Sequence, residues 1–135
     1  MRMFLNQLQA YNSMFKLLNS YYNITESPDV AVLLTMMSFL EDNTTSDTAV
    51  WHDWLKTINK NEKLTKQDAF EGMINFLEIY RGFALSDDVD KIIEKLRSAK
   101  NCDDTTIPLV RQWELSLKEA LDEPEGTREY MVLTK

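Results

Sequence analysis

The sequence is poor in the residues that break helices and in those that carry out most protein chemistry. Only three Gly and three Pro occur in 135 residues, whereas a β-sandwich or barrel needs turn residues roughly every 8–12 positions. The single cysteine, Cys102, excludes an internal disulfide framework and is typical of a reducing compartment. The single histidine, His52, leaves too few ligands for a zinc site and only one base for a catalytic triad. We therefore expect an all-α protein that is not an enzyme and holds no cofactor or metal.

Long apolar runs are also absent. No stretch approaches the length of a membrane span, and the first residues contain no run of signal-peptide length. With the lone cysteine, these absences predict a cytoplasmic protein. Acidic residues outnumber basic ones by 22 to 15, which gives a formal net charge of −7. This excess disfavours nucleic acid and anionic membranes as partners and favours a basic protein, although acidity also serves solubility alone.

An internal repeat is the strongest pattern that is present. When the sequence is shifted by 59 positions, its second half aligns with its first without a gap. Most matched positions are apolar and recur at three and four residues, as on the buried face of a helix. The identical pairs are Leu5/Leu64, Ala10/Ala69, Met14/Met73, Leu18/Leu77, Tyr21/Tyr80, Ser27/Ser86, Asp29/Asp88, Val30/Val89 and Trp54/Trp113.

The repeat predicts one domain over residues 1–135, built as a six-helix bundle from two tandem three-helix units. The units span about residues 5–59 and 64–118, and a short irregular tail covers 122–135. First helices are expected at about 6–22 and 66–81. Second helices should begin after the N-capping residues Ser27 and Ser86. Third helices should begin near Asp47 or Ala49 in the first unit and near Thr106, with Pro108, in the second. The segment 130–133 could form a short strand or an arm on the bundle.

Clusters of carboxylates occupy equivalent places before the third helix of each unit. The first cluster includes Glu41, Asp42 and Asp47, with Asp53 on the helix that follows, and the second is Asp103 with Asp104. Neither a Glu-x-x-His pair nor a calcium-loop pattern accompanies them. They form either solvated loops or an acidic surface for a cationic partner.

Three tryptophans complete the set of candidate residues. Trp54 and Trp113 match in the repeat and are expected in the core. Trp51 is matched by Val110 and is the tryptophan expected to be partly exposed. Because exposed Trp beside carboxylates is typical of a protein–protein hot spot, Trp51 joins the candidate contact residues.

Several segments, once aligned, resemble a helical module of small bacterial proteins. They are residues 17–22 leading to 27–34, residues 76–80 leading to 86–89, and the segment 47–55 with its Trp51-His52-Asp53-Trp54 motif. The module is similar to that of immunity proteins of contact-dependent growth inhibition and related polymorphic toxin systems. The resemblance covers most of the first unit and two helices of the second, where only Trp113 of the motif remains.

The resemblance implies a cytoplasmic protein that binds and neutralises one cognate toxin domain, often a basic nuclease. The alternative is an acidic helical adaptor or regulatory binding module with no toxin partner. For a basic partner, the predicted contact residues are Glu41, Asp42, Asp47, Trp51 and Asp53. Asp103 and Asp104 are the second choice, because the repeat offers two candidate faces.

Overall fold

Six α-helices carry most of the residues that this computed structural model describes, which are 4–83 and 86–130. The helices are α1 (Gln7–Thr25), α2 (Pro28–Met37), α3 (Thr48–Thr57), α4 (Lys66–Phe83), α5 (Asp87–Arg97) and α6 (Pro108–Asp122). Two short strands, β1 (Phe4–Leu5) and β2 (Leu64–Thr65), pair antiparallel, with Leu5 opposite Leu64. The predicted helical class is therefore confirmed, and the strand pair is an addition to it. No described helix combines the length and apolar character needed to cross a membrane.

Side-chain caps fix where several helices begin. Ser27 caps α2 by accepting a hydrogen bond from the backbone N–H of Val30 at 3.3 Å, and Ser86 caps α5 in the same way at 3.2 Å from Val89. Both predicted N-caps are thus confirmed. At α1, Asn6 and Gln9 form a capping box that satisfies two free N–H groups at once.

The ends of the first helices lie beyond the predicted ones. Helix α1 runs on to Thr25 and stops at Glu26, whose φ of 54° is left-handed and whose N–H donates to the carbonyl of Tyr22 at 2.7 Å. Such a left-handed residue is a common helix terminator. Helix α4 ends at Phe83, two residues later than expected.

The core is continuous through both halves and is centred on two tryptophans. Trp54 and Trp113 are fully buried, as expected. Each indole N–H is satisfied: that of Trp54 donates to the carbonyl of Gln7 at 3.1 Å, and that of Trp113 to Oγ of Ser13 at 3.2 Å. Met14 and Met73, matched in the repeat, are both buried.

The N-termini of α2 and α5 meet through two reciprocal contacts. Oγ of Ser27 donates to Oδ2 of Asp88 at 2.6 Å, and Oγ of Ser86 donates to Oδ2 of Asp29 at 2.8 Å. Both aspartates lie in the first turn of their helix, where negative charge is favourable. Each helix start is therefore connected to the other, and we call these four residues the α2–α5 seam.

The segment that follows α6 lies across α1 and the loop after α2. Nδ2 of Asn12 donates to the carbonyl of Thr127 at 2.7 Å, and the N–H of Phe39 donates to the carbonyl of Glu129 at 3.0 Å. Lys16 Nζ lies 3.2 Å from Glu123 and 3.0 Å from Glu129. Of the predicted arm over 130–133, Tyr130 is exposed and non-helical, and residues 131–133 lie outside the described residues.

Candidate protein-binding site

The loop between α2 and α3 is ordered by its own backbone hydrogen bonds. Phe39 and Thr45 form an isolated antiparallel bridge. The N–H of Leu40 donates to the carbonyl of Thr44 at 2.8 Å, and Asn43 adopts a left-handed φ of 67° at the turn. Asn tolerates this conformation better than most residues. The carboxylates of the loop are consequently presented on a defined hairpin-like turn.

Two predicted contact residues lie at the tip of this turn. Asp42 accepts hydrogen bonds from the N–H and the hydroxyl of Thr44, at 3.0 and 2.6 Å. These bonds lower the pKa of the Asp42 carboxyl. Glu41 is exposed and lines an open cavity of about 630 Å³ together with Arg128 and Tyr130. Asp42 therefore stabilises the turn, whereas the Glu41 side chain makes no hydrogen bond or ion pair with the described residues.

Asp47 has a structural role at the start of α3. Its Oδ1 accepts a hydrogen bond from the N–H of Ala49 at 3.0 Å, which caps the helix. Replacing a capping Asp by Ala typically costs about 0.5–2 kcal/mol. Any substitution here therefore changes helix stability as well as surface charge.

Trp51 is half-buried in a cluster of aromatic rings. Its ring centroid lies 5.2 Å from that of Tyr11 and 5.7 Å from that of Phe39, in edge-to-face geometry. The Tyr11 hydroxyl donates to the carbonyl of Met37 at 2.8 Å, and burial raises the pKa of Tyr11. Trp51 thus holds α3 against α1 and the loop after α2, and only part of its indole faces solvent.

A groove of about 400 Å³ opens between α2, α3 and α4. Most of its wall is apolar and comes from all three helices. Within residues 4–83 and 86–130, Asp47 and Asp53 are the only charged residues that line it, and both are half-buried. The lining residues are Leu33, Met36, Asp47, Ala49, Val50, Asp53, Phe76, Ile79 and Tyr80.

Asp53 differs from the other carboxylates near the groove. Among the described residues, its carboxylate has no hydrogen-bond donor and no basic partner within ion-pair distance. The hydroxyl of Thr57 donates to the backbone carbonyl of Asp53 at 2.8 Å, and the Asp53 carboxylate takes no part in that bond. A half-buried, unpaired carboxylate at the mouth of an apolar groove is available to a cation from outside.

The second acidic cluster is engaged within the protein. Oδ1 of Asp103 lies 2.5 Å from Nζ of Lys66, which also pairs with Glu114. Asp104 accepts from the N–H of Lys100 at 3.0 Å and from the hydroxyl of Thr106 at 2.5 Å, and these bonds lower its pKa. Neither Asp103 nor Asp104 is among the described residues that line the groove.

Other candidate chemistry is sparse in the described part of the chain. No group of three or more His, Cys, Asp or Glu side chains there is placed to hold a metal ion. His52 is exposed on α3. Cys102 is buried, and the pKa of its thiol is raised by burial and by the charge of Asp103.

The groove itself was not predicted from the sequence. Asp47 and Asp53 were candidate contact residues, but Phe76, Ile79 and Tyr80 reach the same groove from α4 in the second half. Their helical spacing indicates a buried face and carries no sign that the face is left partly uncovered. Fold and site together define a helical protein with an acid-rimmed apolar groove. Comparisons of the chain with protein-family models, with curated proteins and with solved structures give no match.

Proposed function

We propose that the protein binds a basic partner protein through the loop after α2 and through α3, and that this partner is a toxin domain that the binding neutralises. The observation that supports the proposal most directly is the groove, in which Asp47 and Asp53 are the only charged residues among the described lining residues. Glu41 and Asp42 extend the negative charge to the neighbouring turn. We call Glu41, Asp42, Asp47 and Asp53 the acidic face.

The charge of the acidic face suits a partner rich in Lys and Arg. Unpaired carboxylates attract such a partner over several ångströms and raise the rate of encounter. The net charge of −7 acts in the same direction. A toxin nuclease needs basic residues to hold its nucleic acid, so an acidic protein on that surface would exclude the substrate. The resemblance of segment 47–55 to immunity proteins supports this role, and the encounter is proposed to take place in the cytoplasm.

We further propose that the two halves are tandem copies of one three-helix unit. Helices α1 and α4 begin 59 residues apart, as do α2 and α5, while α3 and α6 begin 60 apart. Adding 59 to Ser27 and subtracting 59 from Asp88 turns the first contact of the α2–α5 seam into the second, Ser86 with Asp29. Tyr11 against Trp54 and Phe70 against Trp113 are likewise matched ring pairs.

Charge reversal on the acidic face tests the proposed function. The double variant Glu41→Lys/Asp53→Lys avoids Asp42 and Asp47, whose carboxylates order the turn and cap α3. Co-expressed with the product of the gene next to its own, the parent should co-purify with that product and protect the cells from its toxicity. The variant should lose protection, and association of the parent should slow as salt rises, because exposed charges are screened.

Glu119→Lys/Glu125→Lys is the matched control. Both residues are exposed; Glu119 lies on α6 and Glu125 lies after it. The two substitutions change the net charge by the same amount as the acidic-face variant does. This control should protect like the parent. Equal protection by both double variants would contradict the assigned face. Absence of any toxin bound by the parent would remove the immunity function and leave an adaptor role.

A further inference from the structure

The groove between α2, α3 and α4 is open where the matching region of the other half is bridged. Adding or subtracting 59 relates Asp53 to Gln112 and Ile79 to Ser20. Nε2 of Gln112 donates to Oγ of Ser20 at 3.3 Å, which connects α6 to α1. On the groove side, a carboxylate and an aliphatic side chain occupy these positions and make no such bond. At these two positions, the halves therefore differ in whether the neighbouring helices are bridged.

The chemistry of the groove wall indicates what would occupy it. Leu33, Val50 and Phe76 offer a buried apolar floor, and Met36 supplies an adaptable thioether edge. The volume of about 400 Å³ lies at the small end of the range for ligand pockets, about 300–1,000 Å³. It suits one or two side chains inserted from one face of a helix whose backbone stays outside the groove.

The charge at the rim restricts the occupant further. Asp53 has no partner within the described residues, and Asp47 keeps one oxygen for the cap of α3. No basic residue is among the described residues that line the groove. An apolar side chain alone would leave Asp53 half-buried and unpaired, whereas a neighbouring Lys or Arg would satisfy it.

We infer that the groove anchors a segment of the partner protein in which aliphatic side chains lie beside Lys or Arg on one helical stripe. The aliphatic side chains enter the groove against Val50 and Phe76, and the cation pairs with Asp53 at its mouth. This is helix-in-groove recognition with a charged clamp. The inference rests on the proposed basic partner and specifies the part of it that is recognised.

Binding of a synthetic probe tests the inference with the full chain. The probe is a capped Ala-based helical peptide that carries Leu at i and i+3 and Arg at i+4 and i+7. Titration followed by ¹H–¹⁵N NMR should shift the amide signals of Val50, Asp53, Ile79 and Tyr80. Control peptides with both Leu replaced by Ser, or both Arg by Gln, should each bind at least about five-fold more weakly.

Two protein variants locate the binding. Ala49→Trp places an indole at the exposed edge of the groove and should weaken binding at least about ten-fold. Asp53→Asn keeps the size of the side chain and should weaken it about two- to five-fold. The matched controls are Leu115→Trp and Glu119→Gln, both at exposed positions on α6, which contributes nothing to the groove lining. Each control should bind like the parent, with helicity checked by circular dichroism.

The inference is overturned if the shifts fall outside the groove or if Asp53→Asn binds as tightly as the parent. It is also overturned if a folded Ala49→Trp protein binds the probe peptide as tightly as the parent. No toxin takes part in these titrations. Loss of the proposed toxin function would therefore appear in the co-expression experiment and leave the peptide result unchanged.

Discussion

Gly72 occupies the point in α4 where the helix passes close to α3. A Cβ at this position would lie 3.0 Å from Cγ2 of Ile58 and 3.3 Å from Cη2 of Trp54. Gly82, in the same helix, would place a Cβ in open space. The two glycines therefore provide a matched pair in which helix propensity is opposed by packing at one position only.

Alanine substitution should separate these two effects. Gly82→Ala should stabilise the fold by up to about 1 kcal/mol, because Ala has the higher helix propensity. Gly72→Ala should gain less than Gly82→Ala or lose stability, because Trp54 and Ile58 must move. Urea denaturation of both variants measures the difference. A larger gain at Gly72 than at Gly82 would contradict the close approach of α3.

At the level of single residues, the sequence predicted which tryptophans are buried but not which carboxylates are already hydrogen-bonded. Trp54 and Trp113 were expected in the core because they match in the repeat, and both are buried. Asp42 and Asp104 look alike in the sequence as loop carboxylates, yet each accepts local hydrogen bonds that only the folded turn creates. The unpaired state of Asp53 depends on which neighbours α4 brings, and no local pattern contains that information.

At the level of elements, the segment after α6 is attached to α1 through shared charge. Lys16 lies between Glu123 and Glu129. The pKa of Glu123 is raised by burial and by the nearby carboxylate of Glu129, with Lys16 opposing both. The pKa of Lys16 is raised as well: burial alone would lower it, but the two glutamates prevail.

The raised pKa of Glu123 predicts a pH dependence. Because its folded pKa lies above the ordinary 4.5, the folded state holds this proton more tightly than the unfolded chain. Its stabilising contribution is therefore complete below pH 4.5 and is lost as pH rises through the raised pKa. Glu123→Gln cannot titrate, so its melting temperature relative to the parent should increase as pH rises from the acidic range towards neutrality.

The matched control for this prediction is Glu125→Gln. Glu125 is exposed in the same segment and has no ion-pair partner among the described residues. The melting temperature of the Glu125→Gln variant should follow that of the parent across the same pH range. Parallel curves for Glu123→Gln and the parent would show that Glu123 is not coupled to Glu129 in the folded protein.

Elements with their own capping signals were predictable, and elements made by distant pairing were not. Ser27 and Ser86 marked the starts of α2 and α5 because a cap is a local device. The strand pair forms between Leu5 and Leu64, which are separated in the sequence by most of the first half. The repeat matched these two residues as equivalent positions, which gave no sign that they would lie opposite each other.

For the whole molecule, the proposed duplication predicts equal costs at equivalent positions. Leu18 and Leu77 are matched in the repeat and both are buried. Leu18→Ala and Leu77→Ala should each destabilise the protein by about 2–5 kcal/mol. Leu115→Ala, at a position that is 49% exposed, should cost far less. Denaturant unfolding measures all three, and a small loss at either matched leucine would contradict its equivalent place in the two units.

At the level of the whole molecule, the sequence did not predict the groove. Periodicity predicted six helices, and acidic loops predicted a charged face. How closely α3 lies against α4 depends on Gly72, Phe76 and the bulk of Trp54, which act together only in the folded core. The groove is thus a product of packing between the halves rather than of a motif in either one.

The α2–α5 seam has a consequence for how such a chain could have arisen. Its two contacts, Ser27 with Asp88 and Ser86 with Asp29, have the reciprocal form of a two-fold symmetric dimer interface. If the halves are copies, a single-copy ancestor would have made this contact between two separate chains, at a strength that depended on protein concentration. Gene fusion would replace that dependence by an effective concentration on the order of millimolar. Once such partners were covalently joined, the two matching regions would be free to differ, with the Gln112–Ser20 bridge kept in one and a groove left in the other.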